Sequence, residues 1–232
     1  MNEAEVSGSA PISAVILAGG RSTRLGRDKA FLEVNGRPLI ERIVDRLAQL
    51  SDEVIIVAKD VDAYEPLEAL VVADVYPGTA ALGGIFSGLK AAGNRHALVV
   101  ACDMPFLSLS LLRYMRGLAA ANDVVIPRLG KLTEALHAIY SQDCLPFIER
   151  QLQAVDLKIS NLFDHVRVRY VDQKEIDLFD PDHLSFFNIN TETDLRRARE
   201  MLANGLDLRR STAKPSSGDR PRSRREPLRT RR

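Results

Sequence analysis

The passage from Ile12-Ser13-Ala14-Val15-Ile16-Leu17-Ala18 into Gly19-Gly20-Arg21-Ser22-Thr23-Arg24-Leu25-Gly26-Arg27-Asp28-Lys29 constrains this chain more than any other. The first run reads as a strand buried in a core. The second opens on two glycines and then gathers three arginines and a lysine. Glycine lets a backbone approach a ligand closely and aim N–H groups at an anion. A loop leaving the carboxyl end of a strand is also where open α/β sheets bind their ligands. The pattern predicts a cradle for a triphosphate. A solvated surface turn would need neither the paired glycines nor this density of cations. Gly26 is followed by Arg27 and Asp28, so the Gly-Lys-Ser/Thr ending of nucleotide-hydrolase loops is missing, and so is the G-x-G-x-x-G spacing of dinucleotide folds.

Downstream, apolar β-branched runs alternate with helical periodicities, the mark of an α/β domain with a mostly parallel sheet. Strands are predicted over 54–58, 70–73, 97–102, 123–127, 135–140 and 166–171. Pro38 fits a first helical turn, and Leu39, Ile40, Ile43, Val44 and Leu47 recur on one helical face. Residues 74–82 read as a loop and 83–92 as a helix of small residues. Ser108 or Ser110 caps a helix running to about Ala120, and residues 142–154 are helical. Thr191 caps a last helix, with Asp194 completing a capping box and Gly205 stopping it.

With 232 residues, 45% hydrophobic, the chain is long enough for one substantial core. We expect a flexible start over 1–11, one domain over 12–206 and a tail over 207–232. The tail holds ten Lys/Arg and three Asp/Glu, net +7, against net −6 for residues 1–206. Its scarcity of apolar residues predicts disorder. Nucleic-acid binding by the tail is disfavoured, because no aromatic ring is interleaved with its arginines. No apolar run reaches the roughly 20 residues of a membrane span. Met1 to Pro11 lacks the basic start of a secretory signal. Two cysteines, Cys102 and Cys144, make neither a disulfide scaffold nor a four-thiolate metal site. The expected location is the cytoplasm.

Asp103 ends the apolar run 97–102. A carboxylate there faces the ligand crevice, and its hard oxygens suit Mg²⁺, which takes one or two carboxylates beside phosphate oxygens. The alternative is an aspartate that caps the following turn. Asp74 opens the loop after the third strand, where an aspartate also serves as an Asx-type turn residue. On the strand 135–140, alternation sets Glu134 and Leu136 on one face and His137 on the other, unless a bulge intervenes. Asn188 and Asn190 share a face of an extended segment. They either hold a substrate or tie down the loop before the last helix.

The stretch L-A-G-G-x-S-x-R-x-G-x-D-K resembles the signature of the molybdenum cofactor guanylyltransferase family. The resemblance covers roughly residues 12–203. It includes Cys102-Asp103-Met104-Pro105, Glu134-Ala135-Leu136-His137-Ala138-Ile139-Tyr140 and Phe187-Asn188-Ile189-Asn190-Thr191. It implies a three-layer α/β sandwich of the nucleotide-diphospho-sugar-transferase type, Rossmann-like, with one antiparallel strand in its sheet. It implies transfer of GMP from GTP to the phosphate of molybdopterin-bound molybdenum. Leu17, Ala18, Gly19, Gly20, Lys29, Asp74 and Asp103 would bind GTP. Lys29, Arg21 and Asp103 would carry the chemistry, with Mg²⁺ on Asp103. Arg24, His137, Asn188 and Asn190 would face the acceptor, with Glu134 of the same matched strand as a further candidate. Transient contact with molybdoenzymes or their chaperones follows from delivery of a labile product. The chain departs from the family pattern at Ala80 and Ala81, where a Gly and a Pro are expected, at Ala135 in place of a Pro, and at Ala58, where an Asn is frequent. Two rivals stand beside this reading: a sister nucleotidyltransferase using another base or acceptor, such as a molybdopterin cytidylyltransferase or a sugar-phosphate enzyme, and a non-catalytic nucleotide-binding domain.

Overall fold

A computed structural model describes residues 10–18 and 29–204. Gly19, Gly20, Arg21 and Arg24, the Gly205 stop and the tail from 207 lie outside these residues, as do residues 1–9. Strand β1 (Ser13–Leu17) is followed, after the glycine-rich stretch, by a single helical turn at Lys29–Phe31. A small hairpin comes next, β2 (Glu33–Val34) and β3 (Arg37–Pro38). Its two-residue turn, Asn35-Gly36, has positive φ at both positions, as a type I′ hairpin requires. Pro38 therefore ends β3 and precedes helix α1 (Leu39–Leu47), rather than lying in its first turn.

The chain continues through β4 (Glu53–Ala58), β5 (Leu70–Ala73), α2 (Ala80–Ala91), β6 (His96–Ala101), α3 (Leu109–Ala119), β7 (Val124–Leu129), β8 (Leu132–Thr133), β9 (His137–Ser141), α4 (Leu145–Gln153), β10 (Val168–Asp172), α5 (Gln173–Asp177) and α6 (Glu192–Ala203). The sheet runs β10-β7-β9-β6-β1-β4-β5, with the short β8 pairing on β7. Strand β9 is antiparallel to both of its neighbours. The remaining pairs along that path are parallel. The sheet is thus mostly parallel, with one reversed strand inside it. The carboxyl ends of β1, β4, β5, β6, β7 and β10 lie on one edge, and β9 begins on that edge.

Alternation along the strands sorts side chains into two layers. Ile16, Ile56, Val100 and Ile139 pack with Ile40, Ile43 and Leu47 of α1 and Leu112 and Met115 of α3. Val15, Ile55, Val99 and Tyr140 pack with Leu82, Ile85 and Leu89 of α2 and Ile148 of α4. Each fully buried Leu or Ile contributes roughly 1.5–3 kcal/mol of transfer free energy. A third cluster, with Val34, Leu39, Phe106, Ile189, Leu195 and Ala198, seats α6 against the β2–β3 hairpin.

Helix α2 begins at Ala80, three residues before the predicted start at Gly83. Its glycines are not a helix terminus; they are what lets the helix lie close to β1. A Cβ on Gly88 would stand 2.3 Å from Val15 Cγ1, and one on Gly84 would stand 3.2 Å from Leu17 Cδ2. Ser108, not Ser110, caps α3 through its side chain. The predicted strand 135–140 starts only at His137, because residues 135–136 form a turn.

Candidate active site

The site is built where β1 and β6 end side by side. The Cys102 N–H donates to the Leu17 carbonyl at 3.2 Å and the Ala18 N–H to the Val57 carbonyl at 2.9 Å, so Asp103 emerges beside the end of β1. Lys29, at the head of its helical turn, donates from Nζ to Asp103 Oδ2 at 2.8 Å and to Asn190 Oδ1 at 2.7 Å. The pair is largely enclosed, with side-chain exposures of 18% for Lys29 and 16% for Asp103. The other carboxylate oxygen, Asp103 Oδ1, is buried and has no hydrogen-bond partner.

Asn190 reaches this point by a separate route. The Ile189 N–H donates to the Asp103 carbonyl at 3.0 Å, which laces the segment before α6 to the loop after β6. Asp194 Oδ2 accepts from the N–H groups of Asn190 and Thr191 and from Thr191 Oγ1. These bonds, led by that of the Thr191 hydroxyl, hold the Asp194 carboxyl below its ordinary range. The capping box of α6 therefore also fixes the backbone of Asn190. The sequence reading gave Asp194 only its capping role. The Thr191-x-x-Asp194 spacing signals the box but not what the box positions.

The other predicted residues fall around this centre in different ways. Leu17 and Ala18 are at the end of β1, with the Leu17 carbonyl and the Ala18 N–H both engaged in the sheet. Asp74 stands two strands away, after β5. Its Oδ1 accepts from the Tyr76 N–H and the Ser87 hydroxyl, each at 2.9 Å, folding its own loop onto α2. Asn188 donates from Nδ2 to the Phe186 carbonyl at 3.2 Å. His137 lies wholly inside, with no exposed surface, on the same face as Val100 and Ile139. Its ring meets that of Phe186 edge to face at 5.1 Å, and neither ring nitrogen has a partner. Burial drives its pKa down to about 4, with the nearby Asp180 carboxylate pulling the other way. The imidazole is thus sealed inside the sheet layer and held neutral. Both cysteines are buried and neither is in a disulfide.

At the head of α2, Ala80 has φ +53°. The left-handed conformation that favours glycine is thus kept here by an alanine, at a cost on the order of 1 kcal/mol.

The MobA-like NTP transferase domain model matches residues 14–168, more than half of the chain. A relative from Pelotomaculum thermopropionicum, named probable molybdenum cofactor guanylyltransferase, is 40% identical over 190 residues, 82% of this chain and 93% of that protein. The chain belongs to the MobA-like NTP transferase family. Within that family, the molybdenum cofactor guanylyltransferase of Desulfosudis oleivorans is 36% identical over 196 residues, covering 84% of this chain and 97% of its own. The solved structure of molybdopterin-guanine dinucleotide biosynthesis protein A from Archaeoglobus fulgidus superposes with a TM-score of 0.73 at 29% identity. It covers 83% of this chain and 99% of that one. The family match ends at residue 168, so α6 and the Phe187–Thr191 segment that delivers Asn190 lie beyond it.

Proposed function

We propose that the chain transfers GMP from GTP to the terminal phosphate of molybdenum-bearing molybdopterin, giving a guanine dinucleotide cofactor and pyrophosphate. One observation carries this reading: Lys29, Asp103 and Asn190 converge at the carboxyl ends of β1 and β6, in a chain whose family relatives carry that name. An acceptor phosphate oxygen attacks the α-phosphorus of GTP. A new P–O bond forms there. The bond from that phosphorus to the oxygen bridging it to the β-phosphorus breaks, and pyrophosphate leaves with the electron pair. The acceptor is already anionic, so no strong base is needed, and catalysis is alignment plus charge neutralisation. Lys29 supplies a cation held in place by two acceptors. In this reading Arg21, Gly19 and Gly20 complete the triphosphate cradle, and Arg24, Asn188 and Asn190 serve the acceptor side.

Asp103 fits a Mg²⁺ site. Its Oδ1 is buried and unpartnered, and the described residues hold no cluster of three His, Cys, Asp or Glu that could bind a metal by themselves. A single carboxylate matches an ion that draws most of its ligands from phosphate and water. When bound there, Mg²⁺ supplies charge neutralisation on the triphosphate. A GTP donor supports a cytoplasmic location in this reading, and handing over the product would take transient contact with molybdoenzymes or their chaperones.

Titration of the purified chain with GTP, CTP, ATP and UTP, each with and without Mg²⁺, tests the reading. The expected result is a preference for GTP that requires Mg²⁺. A preference for CTP would move the chain to a sister enzyme; Ala80 and Ala81, at the head of α2 where the chain departs from the family pattern, are the first residues to examine in that case. Binding of no nucleotide would reject nucleotidyl transfer.

A further inference from the structure

On the edge of the sheet that carries the site, the turn between β8 and β9 presents Glu134. Its backbone is fixed from several directions. The Glu134 N–H donates to the Pro127 carbonyl at 3.1 Å, its carbonyl accepts from the His137 N–H at 3.0 Å, and the Leu136 carbonyl accepts from the Ala101 N–H at 3.2 Å. The buried Tyr140 hydroxyl donates to the Ala135 carbonyl at 2.9 Å. The turn is therefore rigid and tied to both β6 and β7. Ala101, one of its anchors, is two residues before Asp103. The Glu134 side chain, in contrast, is half-buried and has neither a hydrogen bond nor an ion pair among the described residues. Burial alone raises its pKa, with no neighbouring charge contributing. A carboxylate taken from water without a partner is a cost to the fold, and glutamine would fill the same space without it. Such a group, held at the edge of a ligand crevice, is a candidate for binding rather than for stability.

Resting on the acceptor reading given above, we infer that Glu134 binds the amino and ring N–H edge of a 2-amino-4-oxopyrimidine, and that this ring is the acceptor's pterin. A carboxylate accepts two parallel hydrogen bonds from such an edge, the same fork geometry it accepts from arginine. Guanine offers the identical edge, so position decides between the two. Glu134 lies at the β9 and β7 ends, across β6 from the β1 end where the triphosphate loop begins. The turn is tied to the end of β6, the same strand end that receives the Asn190 segment, which the reading above gives to the acceptor.

Pterins fluoresce, so the full chain can be titrated directly with 6-hydroxymethylpterin, with 2,4-dioxopteridine, which has a carbonyl in place of the amino group, and separately with GTP. Wild type should prefer the pterin. Glu134→Gln should weaken pterin binding by roughly 10–100-fold, the range for hydrogen bonds to a charged group. The variant should also lose the preference over the dioxo compound and bind GTP as before, with a melting temperature equal to or above that of wild type. The melting temperature separates this role from a structural one, because a structural glutamate would lower it when replaced. Loss of GTP affinity with unchanged pterin affinity would overturn the assignment in favour of guanine. Unchanged affinity for both would overturn it altogether. Failure of wild type to bind the pterin while it binds GTP would overturn the acceptor reading, and Glu134's role with it.

Discussion

Lys29 is bonded to one residue 74 positions away and another 161 positions away in the chain. Sequence alone marks each of the three for a different reason. Lys29 closes a cationic glycine loop, Asp103 ends an apolar strand, and Asn190 precedes a helix cap. Their meeting was not legible, since no spacing rule relates a strand end to a segment that arrives from the last helix. It depends on α6 seating against the β2–β3 hairpin, which is a packing fact. His137 shows the opposite case. Its position on the strand face was readable, but the Phe186 ring that covers it was not. If Lys29 neutralises charge that develops during transfer, Lys29→Ala should lower kcat/KM by about 10²–10³, the range for removing one preorganised donor. An enclosed but not dry ion pair contributes on the order of 1 kcal/mol, so the melting temperature should fall by only a few degrees. Steady-state kinetics beside a thermal melt checks both, and an unchanged rate would remove Lys29 from the chemistry.

Among the elements, those that the sequence displaced or missed share a cause: short-range signals with two meanings. Gly83 and Gly84 read as a helix start because glycine interrupts helices, yet here glycine is the residue that admits a neighbouring strand. Asn35-Gly36 is a strong hairpin signal, but its flanking strands are only two residues each, too short for periodicity to show. The close seating of α2 on β1 gives a paired prediction. Gly88→Ala drives a methyl to 2.3 Å from Val15 Cγ1. It should cost about 1–3 kcal/mol and lower the melting temperature by roughly 3–10 °C. Gly117→Ala in α3 meets nothing within 4 Å. It should stabilise by about 0.5–1 kcal/mol, through helix propensity and a less flexible unfolded chain. Thermal melts of the two variants should move in opposite directions. Equal shifts would mean that α2 is not held to β1 by the missing side chain.

At the scale of the whole molecule, His137 links acid stability to the site. It sits in the reversed strand at the middle of the sheet, under the segment that runs on from Phe186 to Asn190. Its imidazole titrates at about 4 in the folded chain, against roughly 6.5 when unfolded. Between those values the unfolded state binds a proton that the folded state refuses. Stability therefore rises with pH through this window and is lost as pH falls from about 6.5 toward 4, levelling off below. A difference of that size corresponds to about 3 kcal/mol at most. Carboxylates titrate in the same range, so the informative quantity is the difference between wild type and His137→Leu. Leucine removes two ring nitrogens that have no partners and keeps the volume apolar, which can be nearly neutral at pH 7. Denaturant unfolding of both chains at several values between pH 4 and 7 should give curves that agree near pH 7 and diverge as pH falls, with wild type losing more. Parallel curves would mean that the imidazole is hydrated or paired in solution, and that the cover over the centre of the sheet is looser than its packing indicates.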